Sequence, residues 1–94
     1  MARMSELTDR QVITEDAYTL GEVVGGEVDT KAWRITHLNV SLTDDATREL
    51  GFKKPFLGHV DVCLPVELVE AYGDVITLRR DLASMKELPE CKRK

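Results

Sequence analysis

The stretch Lys31-Ala32-Trp33-Arg34-Ile35-Thr36-His37-Leu38-Asn39-Val40-Ser41-Leu42 constrains the fold more than any other part of the chain. It is rich in β-branched and aromatic side chains, no Pro interrupts it, and from Leu38 to Leu42 it alternates apolar with polar residues as a half-buried strand does. The segment Glu22–Asp29 precedes it closely enough to fold back onto it, with Asp29-Thr30-Lys31 as a tight hairpin turn that makes the two strands antiparallel neighbours. The rest of the chain reads as material that closes this ribbon into a small barrel.

The alternation contains a conflict. Leu38, Val40 and Leu42 share one parity, whereas Trp33 and Ile35 have the other, and successive side chains of a strand point to opposite faces. A bulge near Thr36 and His37 would shift the parity so that all five reach one core. A straight strand would instead leave Trp33 and Ile35 as an outward apolar patch, the kind of surface that marks an interface. Both readings stand on the sequence alone.

At 94 residues the chain is long enough for one domain with a single core. Its 43% apolar and 32% charged residues are those of an ordinary globular protein. The net charge of −4 and a pI near 5.1 argue against non-specific nucleic-acid binding, which needs a basic surface. No apolar run approaches the ~20 residues that span a bilayer, and the polar N-terminus lacks the apolar core of a signal peptide. The expected location is the cytoplasm. Cys63 and Cys91 do not make a disulfide framework, and reduced thiols fit that compartment.

Taken in order, residues 1–9 read as a flexible arm, 10–80 as the barrel, and 81–94 as an amphipathic segment with a charged tail. Arg10–Thr14 is a first short strand, and Glu15–Thr19 turns the chain. In the second strand Val24 and Val28 share a parity and are expected inside, while Gly25-Gly26 suits a bend. Thr43 as N-cap, Asp44 and Asp45 in the first turn, Arg48 near the end and Gly51 as a left-handed stop predict a short helix over Asp44–Leu50, with Phe52 returning an apolar contact to Ala46. Phe56-Leu57-Gly58 re-enters the core, and His59–Leu64 alternates as a strand that Pro65 ends. The three-residue spacing of Val66, Val69 and Tyr72 predicts one or two helical turns, Gly73-Asp74 a turn, and Val75–Leu78 the last strand. Leu82, Met85 and Leu88 recur every three positions before Pro89, which predicts a short amphipathic helix that must dock on its own barrel or on another chain.

The chemistry-bearing residues do not assemble a reactive site on this reading. His37, His59 and Cys63 lie on separate elements without paired ligand spacing, so no metal is expected. Cys63 has neither a base nor an electropositive neighbour beside it and reads as a structural thiol. Gly25-Gly26 is followed by no P-loop Lys, and helix capping accounts for Asp44 and Asp45. Lys92-Arg93-Lys94 reads as a solvated tail. No catalytic residue and no cofactor is expected. Trp33, Ile35, Phe52, Phe56 and Leu57 are core candidates in so short a chain. Leu82, Met85 and Leu88, with Trp33 and Ile35, form the candidate partner surface.

One resemblance is carried by these motifs. A strand, then Gly21-x-x-x-Gly25-Gly26-x-Val28-Asp29, then the long Trp33-containing strand ending in Val40-Ser41-Leu42, then Val62-Cys63-Leu64-Pro65, Val69 and Gly73-Asp74-Val75-Ile76-x-Leu78, resembles the PRC-barrel domain from about Gln11 to Leu78. The resemblance is to the free-standing single-domain archaeal members. It implies an all-β fold with short helices: a small, strongly bent barrel with one helix after the central hairpin and one at the C-terminus. It also implies a non-enzymatic adaptor, similar to the cell division protein B family, whose members pair with themselves or a paralogue and work with FtsZ through its membrane-associated anchor SepF. Contact with the membrane would then be indirect, and recruitment to the division site would follow. The other branch is the C-terminal domain of the ribosome maturation factor RimM, which binds a small-subunit ribosomal protein. That branch carries an additional N-terminal domain, so division-type assembly is the first expectation.

Overall fold

The computed structural model describes residues 8–52 and 60–88. It is mainly β, with strands β1 (Gln11–Ile13), β2 (Thr19–Asp29), β3 (Arg34–Leu42), β4 (Asp61–Pro65), β5 (Val69–Tyr72) and β6 (Val75–Leu78). They form one sheet in the order β4-β3-β2-β1-β6-β5, antiparallel except where β1 runs parallel to β6. The ladder does not return from β5 to β4 among the described residues; the two edge strands are joined only through the 3₁₀ turn Val66–Leu68. Even so, Leu64 of β4 and Leu78 of β6 are fully buried in one cluster, which a flat sheet of this order could not achieve. The sheet curls around its core and leaves a seam. Among the described residues no helix is long and apolar enough to cross a membrane.

The β2–β3 ribbon is bent by two register shifts. Val23 faces Val40 and Gly25 faces Asn39, so Val24 is an extra residue on β2. It is therefore Val23, at 0% exposure, that enters the core, while Val24 and Val28, expected inside, are exposed. The second shift lies where Glu27 faces His37 and Val28 faces Ile35, which leaves Thr36 extra on β3. This is the bulge expected near Thr36 and His37, and it brings Ile35 onto the core beside Leu38. Trp33 does not follow. The strand starts at Arg34 rather than Lys31, and Trp33 sits in the turn with a left-handed φ of 52° and 79% exposure. The two alternatives thus divide between the two residues: Ile35 goes in and Trp33 stays out.

Close approach governs the other end of the ribbon. A Cβ on Gly21 would lie 2.0 Å from the Ser41 carbonyl oxygen, so no side chain fits where β2 crosses β3. Beyond Leu42, helix α1 (Asp44–Glu49) starts as its capping residues dictate, with the Ala46 amide donating to Thr43 Oγ1 at 3.0 Å and Arg48 pairing with Asp45. It ends in a Schellman motif. The Phe52 amide donates to the Thr47 carbonyl and the Gly51 amide to the Arg48 carbonyl, with Gly51 at φ 76°. Phe52 packs against the core cluster that contains Ala46. Phe56, Leu57 and His59 lie outside the described residues, as do most of the N-terminal arm and the tail from Pro89. Asp9, the last residue of the expected arm, donates its amide to the Val23 carbonyl at 2.8 Å.

Two segments differ from their helical patterns. Only Val66–Leu68 makes a helical turn; Val69–Tyr72 is strand β5, paired with β6 through Val69 with Leu78 and Tyr72 with Ile76. The three-residue spacing of Val66, Val69 and Tyr72 spans a turn and a strand that meet on one side of the seam, so it imitates a helix face without being one. The C-terminal segment is a 3₁₀ turn, Ala83–Glu87, with Met85 at 0% and Leu88 at 8% exposure and Leu82 half-buried against the same core. It docks on its own barrel.

Candidate functional site

Three of the five residues expected to meet a partner are withdrawn by this docking. Met85 and Leu88 fill the core and Leu82 packs beside them, so they present little surface to another chain. Trp33 and Ile35 remain, and the fold places them at one end of the molecule.

Trp33 caps the hairpin between β2 and β3. Asp29 shapes this turn by accepting hydrogen bonds from the Lys31 and Ala32 amides at 2.9 and 3.3 Å, an Asx turn that leaves Trp33 to reverse the chain in left-handed geometry. Such a conformation is costly for a bulky residue, of the order of 1–2 kcal/mol. Solvent surrounds the indole, and Lys31, Ala32 and Arg34 around it are exposed as well.

Ile35, two residues on, turns toward the seam. Ile35 and Leu38 from β3, Val66 from the 3₁₀ turn, Val69 and Tyr72 from β5 and Ile76 from β6 line an apolar cleft of about 260 Å³. It lies where the strand ladder fails to close. The sequence reasoning missed this cleft because it assigned Val66–Tyr72 to a helix; the signal available was the β-branched Val69 next to the Gly73-Asp74 turn. A second groove shares Ile35 and Val66 with the cleft and adds Arg34, Thr36, His37, Pro65 and Glu67. Glu67, in the wall of this second groove, and Glu70, next to Val69 on β5, are exposed. Among the described residues, neither they nor Lys31 and Arg34 enter an ion pair.

Glu27, His37, Asn39 and Cys63 meet across β2, β3 and β4, with His37 also in the wall of the second groove. His37 Nδ1 is 3.7 Å from Glu27 Oε2 and 2.9 Å from Thr36 Oγ1. Cys63 Sγ is 3.6 Å from Glu27 Oε1 and 3.7 Å from Asn39 Oδ1. Cys63 is disulfide-bonded, which corrects the expectation of a reduced structural thiol. A disulfide sulfur carries no proton, so these two approaches are contacts rather than donated hydrogen bonds. The inference from reduced thiols to a cytoplasmic location loses its basis with them. Among the described residues no three His, Cys, Asp or Glu side chains gather as a metal site; His59 lies outside them.

Comparison with protein-family models and with curated protein sequences finds no match to this chain. The class that fold and surface define is therefore a small all-β domain, one sheet curled around a single core, with an exposed aromatic tip next to an unclosed apolar seam.

Proposed function

We propose that this protein is a non-enzymatic protein–protein adaptor of the PRC-barrel type, and that it serves archaeal cell division. In that role it pairs with itself or with a paralogue and links to FtsZ through SepF. The observation that carries the adaptor reading is the placement of the chain's single Trp, 79% exposed and conformationally strained, beside an apolar cleft. A large aromatic side chain kept in water at a backbone cost has no stabilising use within the chain, whereas it is among the commonest anchors of protein interfaces. Net charge −4 supports a protein partner over nucleic acid.

The division role rests on the resemblance of the motifs between Gln11 and Leu78, and its test is direct. Titration of purified SepF from the same organism into the protein by calorimetry is expected to give saturable binding that Trp33→Ala weakens. Absent binding to SepF, together with saturable binding to a small-subunit ribosomal protein, would transfer the adaptor to ribosome maturation.

A further inference from the structure

The hairpin tip and the seam cleft complement each other in shape, polarity and charge, and both belong to the same chain. The tip is one exposed indole flanked by two cations in no ion pair among the described residues, Lys31 and Arg34, of which Arg34 also lines the second groove with Glu67. The cleft is an apolar recess of about 260 Å³, room for one large aromatic side chain, and near it Glu67 of the second groove and Glu70 of β5 are anions in no ion pair among the described residues. Trp33 does not occupy the recess of its own chain, since 79% of it is exposed.

We infer that the occupant of the cleft is Trp33 of a second copy, in a two-fold dimer in which each chain inserts its indole into the other's seam. This rests on the adaptor reading in taking the tip and seam as the binding surface, and it names the partner and the contacts. A two-fold interface requires a patch that is complementary to itself, so that residue i meets j and j meets i. Knob and hole therefore have to lie on one face of the protomer. They do: Ile35, a wall of the cleft, follows Trp33 by two positions. The rotation that seats one indole seats the other, and it brings Lys31 and Arg34 of each copy against Glu67 and Glu70 of its mate. The charges set orientation and encounter rate, and the buried indoles supply most of the affinity. Strain at Trp33 has a use in this arrangement, because the left-handed turn leaves the side chain exposed and outside the lining of its own cleft.

The test uses the full chain and its single Trp as the probe. Sedimentation equilibrium is expected to show a monomer–dimer equilibrium, with Trp33 emission moving from the red position of a solvated indole toward the blue as dimer forms. Trp33→Ala is expected to weaken dimerisation roughly 30-fold or more, the loss typical of an aromatic hot spot. The double variants Lys31→Glu/Arg34→Glu and Glu67→Lys/Glu70→Lys are each expected to be monomeric while keeping the wild-type circular dichroism. Mixed together they are expected to form a heterodimer, since both tip–cleft contacts then join opposite charges. A wild-type chain that stays monomeric, a dimer indifferent to Trp33→Ala, blue emission at every concentration, or a mixture that fails to pair would each overturn the inference. If the chain is monomeric yet Trp33→Ala abolishes SepF binding, self-pairing fails and the adaptor reading stands; if neither SepF nor a second copy binds, both fall.

Discussion

The Leu82 amide donates to Asp16 Oδ1 at 3.2 Å, across most of the length of the chain. Asp16 also accepts from the buried Thr14 hydroxyl, and the neighbouring Glu15 amide donates to the Arg80 carbonyl at 2.9 Å, so the turn after β1 holds the start of the C-terminal segment. Met85 and Leu88 then complete the core. A segment too short to be a stable helix by itself is thus ordered by one carboxylate and two apolar side chains.

Met85→Ala is accordingly expected to cost about 2–5 kcal/mol, the price of emptying a fully buried site. Urea denaturation followed by circular dichroism measures it. A change below about 0.5 kcal/mol would return Met85 to the surface.

Gly21→Ala is expected to destabilise by about 2 kcal/mol or more, because its methyl would lie 2.0 Å from the Ser41 carbonyl oxygen and the paired strands would have to part. Thermal melts check this. Gly51→Ala, in contrast, meets no atom within 4 Å and loses only the ease of its left-handed φ of 76°.

Trp33→Gly is expected to leave stability within about 1 kcal/mol of wild type, since release of left-handed strain offsets the greater freedom of glycine in the unfolded chain. A core Trp would behave otherwise, with truncation costing about 3–5 kcal/mol. Denaturation midpoints compared at concentrations where the wild type is monomeric distinguish the two.

Acid is expected to loosen the last turn. The Ser84 hydroxyl and amide both donate to Asp81 Oδ1, at 2.8 and 3.0 Å, and this hydrogen bonding holds the Asp81 carboxyl below its ordinary range. A depressed carboxylate contributes its stability above the unfolded-state value and loses it as pH falls through the folded-state value. The Ser84 amide resonance is therefore expected to move with a midpoint below the usual range for aspartate, and Asp81→Asn to remove that titration. A midpoint at or above the ordinary range would contradict the capping role.

Reduction is expected to lower stability by about 2–4 kcal/mol, because Cys63 is cross-linked. Thiol titration in denaturant, before and after reduction, checks the premise, and denaturation curves under the two conditions give the size.

Much of this architecture was legible in the residues, and the failures have identifiable causes. The helix Asp44–Glu49 and its Schellman stop followed from Thr43, Gly51 and Phe52, because capping is local chemistry. Strict alternation gave Val40, Leu42, Val62 and Leu64 to the core. Val24 and Val28 were misassigned because a bulge reverses every side chain beyond it, and its position depends on the partner strand. Bending of the ribbon likewise decided between Trp33 and Ile35. Val69–Tyr72 became a strand through pairing with β6, a tertiary effect that outweighed the helical spacing. The seam was invisible for the same reason, being made by edges that lie close in sequence yet belong to opposite ends of the sheet.

The most direct test of the tip and seam as a protein-binding surface is a map of backbone amide shifts. The ¹⁵N-labelled protein is titrated with unlabelled SepF, and Trp33→Ala is run in parallel. The expected perturbations cluster at Thr30–Ile35 and Val66–Tyr72 and vanish in the variant. Perturbations confined to the far side, at Gln11, Glu22 and Ser41, or none at saturating SepF, would contradict the account.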